Sequence, residues 1–159
     1  MRNKEDKEMK KLFVLNLVLM IIAFSNVCLA GSWISGAKEG VAIGGYDTVA
    51  YFTTQKAIMG SVKNNYEWGG TVWFFASPEN RDLFIADPEK YVPQYGGHCA
   101  LSVYNGKNAK GDGAVWTIYK KKLYLNFNRD VQDRWLKNMS EYIYYADREW
   151  PKIKARLEE

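Results

Sequence analysis

The chain has 159 residues, with 22 lysine and arginine against 18 aspartate and glutamate, one histidine and two cysteines. That length suits one ordinary domain, and a net charge of +4, part of it carried by Arg2, Lys4, Lys7, Lys10 and Lys11, leaves no basic stripe that would argue for nucleic acid. Aromatic residues at 15% allow a core of a few large side chains with no covalent staple.

Lys10 and Lys11 precede an apolar run from Leu12 to Phe24, and small or neutral residues lead to Cys28-Leu29-Ala30 before Gly31. A basic start, a short apolar stretch and a small residue at the cut describe a signal peptide over residues 1–30. The run is shorter than the roughly 20 residues that cross a bilayer. Export to a periplasm or the extracellular medium is therefore expected, with membrane attachment only through an uncleaved signal. Cleavage after Ala30 removes Cys28 and leaves Cys99 without an intramolecular partner. Such a thiol is used, buried, or shared with another chain, as in a homodimer.

Residues 31–40 carry little periodic pattern and read as a flexible leader. Val41-Ala42-Ile43 reads as a short strand stopped by Gly44-Gly45, after which Asp47 can cap a helical turn from Thr48 to Phe52. The runs 65–68 and 71–75 alternate around Gly69-Gly70, a hairpin signal because both glycines can take positive φ. Ser77 and Pro78 supply an N-cap and a first helical residue, with Leu83 and Phe84 on the apolar face. Asp87-Pro88 ends that helix and opens a brief turn to Tyr91. A loop from Val92 to Gly97 follows, then a helical turn from His98 to Tyr104 and a polar surface loop from Asn105 to Gly113.

The runs 114–119 and 122–127 predict a second hairpin, with the lysines at 120–122 a solvated tip. From Arg129, apolar residues Val131, Trp135, Met139 and Tyr142 recur at helical spacing, predicting a helix to about Asp147. Pro151 reads as a break before a charged tail over 151–159. No internal repeat is visible. These elements predict an α+β domain over residues 41–150: a small antiparallel sheet from two β-hairpins, with two or three packed helices.

Several of these segments also form an ordered set: Gly44-Gly45-Tyr46-Asp47-Thr48-Val49-Ala50-Tyr51-Phe52, the run from Trp73 to Phe84, Ala86 to Tyr91, Pro93 to Gly97, and Trp116-Thr117. In this order they resemble the YHS domain family, in its exported single-domain branch. Metal-type members of that family imply thiols at the positions of Ala50, Ala76 and Asn80. Soft ions such as Cu(I) and Zn(II) need such thiolate or imidazole donors, so the resemblance implies a branch from which the family's metal site is missing.

What remains for chemistry is His98-Cys99, the one histidine beside the one cysteine of the exported part. The pair is a candidate ligand set for copper or another transition metal, with Gly96-Gly97 bending the chain and Met59 or Asp47 as further donors. It is equally a candidate redox thiol, since a neighbouring imidazolium lowers a thiol's pKa, or a buried sulfur beside a hydrogen-bonded loop histidine. Asp47 either caps its turn or faces a cavity. The aromatic residues Tyr51, Trp73 and Tyr95 either line a small-ligand pocket with it or build core.

No Gly-x-Ser-x-Gly elbow, phosphate loop or His-Glu-x-x-His motif occurs, and one histidine restricts general-base chemistry. The expectation is an exported, non-enzymatic module that binds a small ligand or metal ion near His98 and Cys99. The alternatives are a thiol-dependent redox protein using Cys99 and an envelope protein-interaction module.

Overall fold

Two chain reversals organise the molecule. Gly69 and Gly70 (φ 62° and 73°) join β1 (Ser61–Trp68) to β2 (Thr71–Phe75), and Lys120 and Lys121 (φ 49° and 62°) join β3 (Asp112–Tyr119) to β4 (Lys122–Asn126). Left-handed backbone at both central residues matches the twist of the flanking strands. The computed structural model describes residues 32–159; the signal peptide expected over 1–30 lies outside the described residues. Each hairpin is antiparallel, and the two remain separate two-stranded sheets rather than one. The architecture is α+β, with helices packed on both hairpins.

Those helices are α1 (Ala50–Thr53), α2 (Pro78–Ala86), α3 (Pro88–Tyr91), α4 (Ala100–Tyr104), α5 (Arg129–Leu136) and α6 (Met139–Glu158). Ser77 and Asn128 cap α2 and α5 by accepting from the N–H three residues on, at Asn80 and Val131. The helix expected from Arg129 to Asp147 is therefore two, divided at Lys137-Asn138. Val41 makes a single bridge to Val72 and no strand, because the chain turns left-handed at Ile43 (φ 42°).

The expectation that the sequence holds no internal repeat is overturned. A left-handed stretch at Ile43-Gly44-Gly45 recurs at Tyr95-Gly96-Gly97. Each is followed by an extended residue, Tyr46 or His98, and then by a short helix, α1 or α4. Tyr46 bridges Met59 and His98 bridges Lys110. Gly60 then donates to the Gly45 carbonyl as Gly111 does to that of Gly97.

Both hairpins carry the same irregularity, between Ser61 and Asn65 and between Asp112 and Trp116. Both lead to a capped helix whose aromatic residue, Phe84 or Trp135, is fully buried. The second half thus repeats the first about 51 residues later. By this register Asp47 corresponds to Cys99, Ala76 to Phe127 and Asn80 to Val131.

Each half has its own hydrophobic cluster. Trp73, Phe75, Phe84, Tyr51 and Ile43 centre the first, which also takes Leu123 and Leu125 from β4. Trp135, Tyr124, Val103 and Ile153 centre the second. β4 is thus buried on both faces and joins the two.

Two peripheral segments depart from expectation. The leader is held in place: Ser35 donates to the Gly96 carbonyl, Ile43 donates to that of Ser35, and Ile34 is buried. Helix α6 continues through Pro151 to Glu158, with Ile153 buried and Trp150 packed edge-on against Trp33 and Tyr95. A proline inside a helix costs about 3 kcal/mol, and burying Ile153 and packing half-buried Trp150 offsets a loss of that order.

Candidate functional site

The four residues expected to line a ligand pocket are structural. Asp47 is fully buried, and its carboxylate accepts from four donors: the N–H groups of Val49 (2.9 Å), Ala50 (3.2 Å) and Ala76 (2.8 Å), and the Asn80 side-chain amide (2.6 Å). It caps α1 and ties that turn to the start of α2. The Tyr51 hydroxyl donates to the Gly113 carbonyl at 2.6 Å, joining the two halves. Trp73 donates to the Trp68 carbonyl at 3.0 Å, and the Tyr95 hydroxyl donates to Asp147 at 2.8 Å.

Burial raises the phenol pKa of both tyrosines well above the usual value, with Tyr46 and Asp112 adding at Tyr51 and Asp147 at Tyr95. Each polar atom of the four is thus spent within the protein.

The same geometry bears on the metal site that the resemblance would imply. Ala50, Ala76 and Asn80, where the resemblance implies thiols, surround the Asp47 carboxylate and donate to it through two backbone N–H groups and one amide. Donors directed inward at a carboxylate cannot coordinate a cation, so these residues do not fit a metal. Met59, a further candidate donor, is exposed.

His98 and Cys99 do not converge either. The chain runs extended at His98 (φ −69°, ψ 155°), which sends successive side chains to opposite sides. His98 opens on a cavity of about 150 Å3 shared with Ser35, Gly36, Lys38, Glu39, Asn108 and Lys110. Cys99 opens on another of about 250 Å3, beside Leu101, Phe127, Val131 and Arg134. Among the described residues no group of three or more histidine, cysteine, aspartate or glutamate side chains could hold a metal ion. The expectation of a His98–Cys99 metal site for copper or another transition metal is corrected on these grounds.

Cys99 is 2% exposed, and its nearest polar neighbour is the Asn126 amide, 4.0 Å from sulfur. His98 is 7% exposed, its ring 6.0 Å from that of Trp150. Burial holds its pKa below the usual value, against the opposing pull of the nearby Asn108, Trp33 and Ala109 backbone. Neither ring nitrogen completes a hydrogen bond of good geometry with a protein atom. Nor does the Ser35 hydroxyl, 2% exposed, on the same cavity.

Ser35 and His98 thus line the same small space, with their polar side-chain atoms buried beside it. At the rim, the Lys110 ammonium lies 3.9 Å from the Glu39 carboxylate, and both side chains are more than half exposed.

Sequence reasoning singled out His98 and missed Ser35. Nothing in the Gly-Ser-Trp-Ile-Ser-Gly stretch marks its second serine, because the leader's place over Gly96 is set by long-range packing of Trp33 and Ile34. No protein-family model matches the chain, and no characterised protein or solved structure matches it either.

Proposed function

We propose that the chain is an exported, non-enzymatic binding module of YHS-like fold, and that its site is the cavity between the leader and His98. The apolar stretch behind Lys10 and Lys11 supports export, and the ordered motifs from Gly44 to Trp116 support the family. The observation that carries the site is the set of unpartnered atoms: Nδ1 and Nε2 of His98 and Oγ of Ser35, all buried. A buried polar atom without a partner costs about 1–3 kcal/mol. Ser35 and His98 line one cavity, which is where a guest that supplies such a bond would sit.

This reading has an unusual consequence for stability. In His98→Phe the ring beside Trp150 is kept and both bare nitrogens are removed, so the variant gains about 1 kcal/mol over wild type. The test is a thermal-shift series on the full-length protein with acetamide, acetate, glycerol and inorganic phosphate. At least one compound raises the wild-type melting temperature, and none raises that of His98→Phe. A wild type that none of them stabilises, or a His98→Phe less stable than wild type, overturns the reading.

A further inference from the structure

The repeat gives the opening beside Cys99 a counterpart in the first half. Its walls include Cys99, Leu101, Ser102, Phe127 and Val131. By the register of the two halves these correspond to Asp47, Val49, Ala50, Ala76 and Asn80. Further bonds keep that register. The Asp47 N–H donates to the Ile58 carbonyl as that of Cys99 does to Ala109, and the Thr53 side chain donates to the Val49 carbonyl as that of Asn105 does to Leu101. The opening thus lies where the first half keeps Asp47 and the four residues that donate to its carboxylate.

The two places differ in their charge. Asp47 fills its own place and is fully buried. In the second half a thiol and Val131 bring neither acid nor amide, and about 250 Å3 stays open to solvent. Arg134 lines that opening, where the first half has Leu83. It is exposed and forms no ion pair among the described residues, and Asp130 and Asp133 of the same helix lie outside the lining. The half without an acid of its own is the half that puts a guanidinium there.

The rest of the wall is reachable from solvent. The Ser102 hydroxyl accepts from the Ala109 N–H at 3.0 Å, which leaves its O–H to donate elsewhere. Leu101 and Val131 are half-buried, and Phe127 is 57% exposed. An apolar wall with a few polar groups at one side is the usual make-up of a small-molecule site. Here those groups are a cation and a hydroxyl, so the guest they suit is an anion with an apolar body.

We propose that this opening takes a small monocarboxylate of the benzoate class. Its carboxylate meets the Arg134 guanidinium, which can hold both oxygens at once, and the Ser102 hydroxyl. Its ring lies against Leu101, Phe127 and Val131. The guest thereby supplies to the second half the acid that Asp47 supplies to the first. This site is separate from the cavity beside His98, and no bond is made or broken in it.

The test is a titration of the ¹⁵N-labelled full-length protein, read at its backbone amides, with three probes. Benzoate has both ring and charge, benzamide has the ring without the charge, and acetate has the charge without the ring. Benzoate shifts the amides of Leu101, Ser102 and Phe127 saturably, with a dissociation constant in about the millimolar range expected of so small a ligand. Benzamide and acetate bind at least tenfold more weakly.

Arg134→Gln alters an exposed side chain, so its free amide spectrum stays that of wild type, and benzoate binds it at least tenfold more weakly. Cys99→Asp combined with Val131→Asn gives the second half its own carboxylate, and benzoate no longer binds. Benzamide binding as tightly as benzoate overturns the carboxylate assignment, and so does an unchanged benzoate constant in Arg134→Gln. Shifts confined to other amides, or no shift at all, overturn the site. A folded double variant that keeps the wild-type benzoate constant overturns the correspondence with Asp47. If that variant does not fold, Arg134→Gln and the benzamide comparison decide alone.

Discussion

The two halves of the molecule share a backbone and differ in what fills one place on it. In the first half that place belongs to the Asp47 carboxylate, which satisfies two N–H groups at the start of α1, the Ala76 N–H and the Asn80 amide. In the second half the corresponding residues are Cys99, Phe127 and Val131, α4 has no side-chain cap, and a cavity of about 250 Å3 opens there. One copy of the unit is closed by its own polar group and serves as scaffold. The other carries the two openings that His98 and Cys99 help to line, so the closed copy and the open copy of the unit are different halves of the chain.

The strongest way to break that comparison is Asp47→Ala. It strands four donors, two of them buried and two part-buried, and is expected to cost about 4 kcal/mol, the sum of a lost cap and lost bonds to a charged acceptor. Cys99→Ala at the matching position removes one sulfur beside an existing cavity and costs about 1 kcal/mol. Urea unfolding of both variants reads the difference. Equal losses would mean that the carboxylate does not lock the first half.

A sharper test moves the lock across. Cys99→Asp alone buries a carboxylate opposite Val131, whereas adding Val131→Asn rebuilds the pair seen between Asp47 and Asn80. If the halves correspond residue for residue, the double variant recovers about 2 kcal/mol relative to the sum of the single changes, within the range found for contacting residues. A coupling near zero in the double-mutant cycle would show that the proposed register is wrong.

The hairpins, the cap at Ser77 and the cap at Asp47 were legible because each depends on residues next to one another in sequence. Gly69-Gly70 between alternating runs and Ser77-Pro78 before an apolar face are local signals. The repeat was not legible, because little survives of it in sequence: the paired glycines, Gly60 and Gly111, and a few others. What persists is burial and backbone shape, in which Phe84 and Trp135, or Ser77 and Asn128, are interchangeable.

Pro151 misled for the opposite reason. Its local signal is strong, but Trp150 and Ile153 pack against the body and override it. The site was half legible: His98 stood out as the only histidine, while its cavity is made by a leader with no pattern of its own. That Cys99 faces elsewhere follows from one extended residue, a detail that sequence does not fix.

The residue after each double-glycine turn gives a smaller contrast, Tyr46 in one half and His98 in the other. Burial lowers the His98 pKa in the folded chain, so below about pH 6.5 the unfolded chain binds the proton more readily. Stability from this group is complete above that pH and declines as the pH falls toward the folded-state value, by up to about 1.4 kcal/mol per pH unit. Unfolding free energies between pH 7.5 and 5.5 test this: the slope of wild type exceeds that of His98→Phe, and parallel curves would mean a ring that titrates normally.

The smallest expected effect lies at the hairpin tips. Gly69 and Gly70 adopt positive φ without a steric penalty, whereas Lys120 and Lys121 adopt nearly the same angles (49° and 62°) with a Cβ in the way. Nothing at the second tip repays this through packing, since Lys120, Lys121 and Lys122 are all exposed, and a contact of Lys120 over the Tyr119 ring at 5.3 Å is worth about 0.5–1 kcal/mol at such a site. An Asn-Gly turn introduced through Lys120→Asn and Lys121→Gly relieves the strain and is expected to add about 1 kcal/mol. The reverse change, Gly70→Lys, removes about as much from the first hairpin. Melting temperatures that move in opposite directions confirm that one turn geometry serves both halves; a loss in both would show that the lysine tip is held by contacts that the glycine tip does without.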